Sequence, residues 1–219
     1  MRFEVDAILF DIDGTLIDST PAVNRSWTTW AKSRGFDADA VLAVCHGRRS
    51  TDTLSDLLPE GEVAEAAAEV YALEMAELDS VVALPRAGEL LASLPPSRWA
   101  AVTSGPRGLM QARLAAAGIP VPETLVTAED VVVGKPDPEG YRKAAEILGV
   151  DPARCLVVED APAGLKAGRA SGARVLAVAT SHDAVELTDA DAVVADLTAV
   201  SVTAGDAGLT VAVAEAPVG

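Results

Sequence analysis

The sequence predicts an α/β fold, a doubly wound parallel sheet with a helical domain inserted after its first strand. Two observations carry this expectation. Apolar runs alternate with helical segments ending at glycine over much of the chain, the pattern of parallel strands joined by crossover helices. Residues 18 to 84 break it, being helical throughout with no convincing strand, so they read as a unit apart from the sheet.

In chain order, the predicted strands are "VDAILF" (5–10), "WAAVTS" (99–104), "TLVT" (124–127), "CLVVED" (155–160), "ARVLAVAT" (173–180) and "AVVADL" (192–197). Helical spacing marks "PRGLMQARLAAAG" (106–118), "DPEGYRKAAEILG" (137–149) and "APAGLKAGRASG" (161–172) between them. The insert comprises "TPAVNRSWTTWAKSRG", "ADAVLAVCHG", "STDTLSDLL" and an alanine-glutamate run over 60–79, read as a solvated helix with one apolar stripe. The chain returns to the core at "LPRAGELLASLP", with linkers near 16–20 and 81–86. The expected domains are therefore 1–17 with 85–219 as the core, and 18–84 as a cap. The tail "TAGDAGLTVAVAEAPVG" (203–219) reads as either an added strand or a frayed end.

At 219 residues, half of them apolar, the chain can bury a sizeable core. Its 17 basic and 33 acidic residues give a formal charge of −16, which argues against nucleic acid or an anionic membrane as partner. No stretch approaches a membrane span and the N-terminus lacks signal-peptide features, so the expected location is cytoplasmic and the default assembly a monomer or weak homo-oligomer. Cys45 and Cys155 have no partner at metal-ligand spacing and read as buried free thiols.

Several strand ends carry polar residues: Asp11 and Asp13 in "ILFDIDGTL", Thr103 and Ser104, Glu159 and Asp160, with Lys135 in "VGKPDPEGY" before a helix. In a parallel sheet these ends open on one edge, so the groups can meet. Close carboxylates raise one another's pKa unless a cation sits among them. An oxygen-ligated Mg²⁺ suits the set, with Asp11 and Asp160 as direct ligands, Asp13 contributing its backbone carbonyl and Glu159 holding a metal-bound water. Asp11 can then attack phosphorus as the nucleophile. Asp13 can serve as acid and base, while Lys135 and Thr103, with backbone N–H groups after Asp11 and near Ser104, bind the charged phosphoryl oxygens.

"DIDGT", the strand end at Thr103, Lys135 in "GKPDP" and "EDAPAG" resemble, in order, the four motifs of the haloacid dehalogenase-like phosphohydrolases. The resemblance spans nearly the whole chain and implies a Rossmann-like core, a C1-type cap at 18–84 and Mg²⁺ dependence. It also implies the roles given above to Asp11, Asp13, Thr103, Lys135 and Asp160. Dehalogenases of the superfamily lack the acid/base at Asp13, so that activity is not expected. "SGPRGLMQARL", "EDAPAGLKAGRASGARVLAVAT" and "CHGRRSTD" resemble the branch of glycerol-3-phosphate and 2-deoxyglucose-6-phosphate phosphatases. That implies a small phosphorylated polyol or sugar as substrate and assigns His46, Gly47, Arg48 and Arg49 to substrate binding beside Ser104. The alternative is a phosphosugar mutase of the beta-phosphoglucomutase type, in which Arg48 or Arg49 would hold a second phosphate. His182 reads as structural or solvated, and Trp27, Trp30 and Trp99 have core-like spacing.

Overall fold

The computed structural model describes residues 1–205 and 208–214. The chain opens with β1 (Arg2–Val5), β2 (Ala7–Phe10) and β3 (Ile17–Asp18). Helices α1 (Thr20–Arg34), α2 (Ala38–Cys45), α3 (Ser50–Leu57) and α4 (Glu60–Met75) follow, then β4 (Val82–Ala83) and α5 (Ala87–Ala92). Next come β5 (Trp99–Val102), α6 (Arg107–Ala116), β6 (Leu125–Val126), α7 (Glu139–Leu148), β7 (Cys155–Glu159) and α8 (Pro162–Ser171). The chain continues through β8 (Arg174–Val178), β9 (Ala192–Val194), β10 (Val200–Gly205) and β11 (Gly208–Val213).

The main sheet is parallel throughout, in the order β6-β5-β2-β7-β8-β9. Alternate residues of its central strands face opposite layers, as the two-residue strand period requires. Ile8, Phe10, Leu156 and Val158 pack with Leu90, Leu109 and Leu114 of α5 and α6. Ala7, Leu9 and Val157 pack with Tyr141, Ala144 and Leu165 of α7 and α8. With both faces covered, β2, β5 and β7 are buried along their whole length, which explains their unbroken apolar text.

The run expected as one strand over 5–10 is two. Asp6 interrupts it: its N–H donates to the Arg154 carbonyl (2.7 Å) and its carboxylate pairs with the Arg154 guanidinium at 2.6 Å. β1 thereby leaves the main sheet and joins an antiparallel sheet β1-β11-β10. The tail is an added strand as far as Val213, while residues 215–219 lie outside the described residues. The insert also contains strand residues where none was expected. Ile17–Asp18 pairs antiparallel with Val82–Ala83 across the two linkers, and two-residue strands are too short to leave a period in sequence.

Helices α1 to α4 pack around a core of their own, with Trp27, Trp30, Val41, Leu54, Ala66 and Val70. Trp27 meets Trp30 edge-on at 5.7 Å, and Trp30 stacks on Phe36 at 5.5 Å. The core reading of these tryptophans therefore holds, and Trp99 is likewise buried in the sheet layer. Cys45 and Cys155 are free and buried, and burial pushes both thiols up to about 12. On α4 the buried positions are Ala66, Val70 and Glu74. The stripe recurs every four residues, and its last position is a carboxylate.

Candidate active site

The C-terminal ends of β2, β5 and β7 deliver their polar residues to one point. Asp11 directly follows β2, Thr103 follows β5, Glu159 closes β7 and Asp160 comes next. One oxygen from each of Asp11, Glu159 and Asp160 lies within 4.8 Å of the others. Lys135 enters from the loop before α7, its ammonium donating to Asp11 Oδ1 (2.5 Å), Glu159 Oε1 (2.6 Å) and the Val102 carbonyl (3.2 Å). The same ammonium lies over the Tyr141 ring, 5.2 Å from its centre.

Three buried carboxylates face one ammonium, and the imbalance shows in the acidities of Asp11 and Asp160. Burial raises Asp11 well above the usual carboxylate range; Lys135 pulls it down, while Glu159 and Asp160 push it further up. Burial and then Glu159 lift Asp160 to about 7. For Lys135, burial acts downward but the charges of Asp11 and Glu159 outweigh it, so its pKa is raised and the side chain stays cationic. A divalent cation suits a site whose carboxylates outnumber its ammonium in this way. Asp11, Asp13 and Asp160 line the adjoining cleft, a space of about 730 Å³ open to solvent.

Glu159, expected to hold a metal-bound water, belongs to the same carboxylate cluster and already has partners on both oxygens. Its Oε1 accepts from Lys135 and from the Tyr141 hydroxyl (2.8 Å), and its Oε2 from the N–H groups of Asp160 (3.0 Å) and Ala161 (3.2 Å). With both oxygens engaged and its side chain behind the cleft wall, Glu159 fixes Lys135. Of the three clustered carboxylates, Asp11 and Asp160 are the two that line the cleft.

Two glycines make this packing possible. Gly14 has φ +85°, and a Cβ there would sit 2.1 Å from Asp160 Oδ2, so the Asp-Gly-Thr turn admits only glycine. At Gly164 on α8 a Cβ would fall 1.7 Å from Glu159 Oε1.

Asp13 has a one-sided environment. Ser19 Oγ (2.6 Å) and Arg113 Nη1 (2.8 Å) both donate to its Oδ1. Among the described residues nothing donates to Oδ2. Ser19 stands at the N-cap of α1 but makes no cap bond there; its hydroxyl goes to Asp13 instead. Thr103 Oγ1 accepts from the Gly105 N–H (3.0 Å) and donates to Met110 Sδ at 3.2 Å.

The insert is seated against the sheet edge. Ser104 Oγ donates to the Gly47 carbonyl (3.0 Å), which ties the serine to the insert. His46, Gly47 and Arg48 line the cleft. His46 bonds Asn24 at 3.0 Å, and burial, then the charge of His182, lowers its pKa. Arg48 pairs with Asp56 at 2.8 Å. Arg49 lies apart from the other three, pairing with Asp52 (2.8 Å) and donating to the Val132 carbonyl (3.1 Å), and it borders a separate cavity behind Lys135.

Sequence reasoning missed several contributors. Thr15 donates to Asp160 Oδ1 (3.2 Å), Ser181 donates to Asp160 Oδ2, and Tyr141 holds Glu159. His182 lines the cleft with its Nδ1 2.8 Å from Ser181 Oγ. Arg113 and Glu74, buried and facing one another at 3.3 Å, also line it. Burial raises the Glu74 pKa, against the pull of Arg113. Glu74 had a legible signal in its place on the buried stripe of α4, whereas Arg113 had none.

A six-stranded parallel sheet with four polar motifs gathered at its edge defines a class. A family model for haloacid dehalogenase-like hydrolases matches residues 5–172, and the chain belongs to that family. It is 43% identical over 200 residues to hexitol phosphatase A of Escherichia coli, covering 89% of this chain and 93% of that protein. It is 37% identical over 226 residues to 2-deoxyglucose-6-phosphate phosphatase 2 of Saccharomyces cerevisiae, covering 92% of each. Among solved structures it resembles a hydrolase from Pseudomonas syringae, with a TM-score of 0.81, 26% identity and coverage of 87% and 94%. The resemblance read from the motifs is thus borne out. Among the described residues no helix is long and apolar enough to cross a membrane.

Proposed function

We propose that this chain is a Mg²⁺-dependent phosphatase that hydrolyses a small phosphorylated polyol or sugar through an aspartyl-phosphate on Asp11. The observation that carries the reading is the convergence of Asp11, Asp13, Lys135 and Asp160 on one cleft edge. The names of its relatives, hexitol phosphatase and 2-deoxyglucose-6-phosphate phosphatase, support the substrate class.

Asp11 and Asp160, with the Asp13 carbonyl, would hold the cation, which when bound offsets negative charge on the carboxylates and the phosphoryl oxygens. The Asp11 carboxylate attacks phosphorus, and the bond from phosphorus to the ester oxygen breaks. Asp13, protonated on Oδ2, gives its proton to the departing oxygen. Lys135 and Thr103 stabilise charge on the transferring group. Asp13, now a carboxylate, takes a proton from water as that water attacks the aspartyl-phosphate, freeing phosphate and regenerating Asp11. Residues 18–84 act as the cap, closing over the cleft and excluding bulk water.

Phosphate release with Mg²⁺ tests the reading, across glycerol 3-phosphate, 2-deoxyglucose 6-phosphate, hexose 6-phosphates and glucose 1-phosphate. Release on polyol or hexose phosphates, lost with EDTA, supports it. Conversion of glucose 1-phosphate to an isomer without release would assign the mutase instead. Asp13→Asn is expected to trap phospho-enzyme and to slow turnover by on the order of 100-fold or more, visible as retained radiolabel after a quench. A variant that turns over at the wild-type rate would remove Asp13 from the mechanism.

The raised carboxylates also fix a pH dependence. Asp160 binds its proton more tightly folded than unfolded, so its contribution to stability is present at low pH and is lost as pH rises from about 4 to about 7. Metal-free protein is therefore expected to melt lower at about pH 8 than at about pH 5, and Mg²⁺ to raise the melting point more at the higher pH. Equal Mg²⁺ shifts at both pH values, by thermal scan, would contradict this.

A further inference from the structure

Arg113 reaches the cleft from α6 and Glu74 from α4, so one belongs to the core and the other to the helical insert. Both are almost wholly buried, at 3% and 5% exposure, and both line the cleft beside Asp13. Arg113 spends Nη1 on Asp13 at 2.8 Å. Among the described residues its buried Nε and Nη2 have no well-aligned hydrogen-bond partner, Nη2 being held only by an ion pair with Glu74 Oε1 at 3.3 Å. Unmade donors in a buried arginine are costly to leave that way, which points to a ligand that completes them.

The chemistry of the pair selects that ligand. A hydroxyl oxygen can accept from the guanidinium while its proton is donated to the carboxylate, satisfying both partners at once. An alkyl group satisfies neither, and a carboxylate would satisfy Arg113 only by facing the negative charge of Glu74. Asp13 fixes which part of the substrate lies here, because it protonates the departing oxygen and so marks the leaving-group side. We infer that Glu74 and Arg113 form a hydroxyl-reading subsite for the alcohol half of the substrate, selecting polyol or sugar phosphates over alkyl or carboxylated ones. This rests on the phosphatase reading above.

Glycerol 3-phosphate and n-propyl phosphate differ by two hydroxyls and share the reacting group. Wild-type enzyme is expected to favour glycerol 3-phosphate in kcat/KM by on the order of 10-fold or more, and Glu74→Gln to reduce that ratio to about threefold or less. Equal losses on both substrates would mark Glu74 as structural, and an unchanged ratio would show that it reads no hydroxyl; either result overturns the subsite. Circular dichroism and a thermal melt establish that the variant folds. Should Glu74→Gln fail to fold, Glu74→Asp is measured in its place, with a fall in the ratio supporting the subsite and an unchanged ratio overturning it. Wild-type enzyme that hydrolyses neither compound, nor any phosphomonoester, would overturn the phosphatase reading. Hydrolysis of both without preference would overturn the subsite alone.

Discussion

Asp11→Asn is expected to lower kcat/KM by on the order of 10⁴-fold or more, since the amide cannot form the aspartyl-phosphate and little of the mechanism survives without its nucleophile. The same substitution is expected to leave the fold intact and the metal-free protein at least as stable as wild type. Asp11 is a carboxylate that burial opposes, and its neutral isostere relieves repulsion with Glu159 and Asp160. Lys135 keeps its bond to Glu159 at 2.6 Å. Activity and stability should thus move in opposite directions. Phosphate release and a thermal scan on one preparation measure both, and retained turnover would exclude Asp11 as the nucleophile.

Lys135→Ala is expected to have the largest effect on stability. It removes the ammonium shared by Asp11 and Glu159 and leaves three buried carboxylates uncompensated. Removing one partner of a buried ion pair costs about 3–5 kcal/mol, and here two pairs share the lost partner. Urea unfolding in EDTA should show a lower midpoint with an unchanged slope. Adding Mg²⁺ should recover part of the loss, because a cation among Asp11 and Asp160 supplies some of the missing positive charge. A midpoint equal to wild type would mean that Lys135 does not balance the cluster.

The sheet and the polar residues gathered at its edge were legible for a common physical reason. A strand buried on both faces writes a continuous apolar run, and the first polar residue after it must lie at the sheet edge; Asp11, Thr103 and Glu159 follow this rule, with Asp160 one residue further on. Lys135 was legible from its position in "GKPDP" just before α7. What could not be read depended on partners distant in sequence. Arg49 is a plain cation in the text, yet its neighbours Asp52 and the Val132 carbonyl draw it away from the cleft. The break at Asp6 depends on Arg154, and the orientation of Arg113 on Asp13 and Glu74. Glu159 shows the same limit, since its motif marks it as acidic and part of the carboxylate cluster, but only Tyr141 and the two backbone N–H groups reveal that both oxygens have partners.

The position of β2 has a consequence for the birth of the enzyme. It is the strand that carries Asp11, and its sheet neighbours are β5, in register Ile8 with Trp99, and β7, in register Ala7 with Cys155. On the ribosome this apolar segment emerges long before either neighbour has been made. Throughout that interval its backbone has no sheet partner and its side chains no layer to cover them, which are the conditions under which nascent chains aggregate or recruit chaperones. The charged turn at Asp11 and Asp13, placed directly after the run, would then act as a solubilising guard before it takes its place in the folded site.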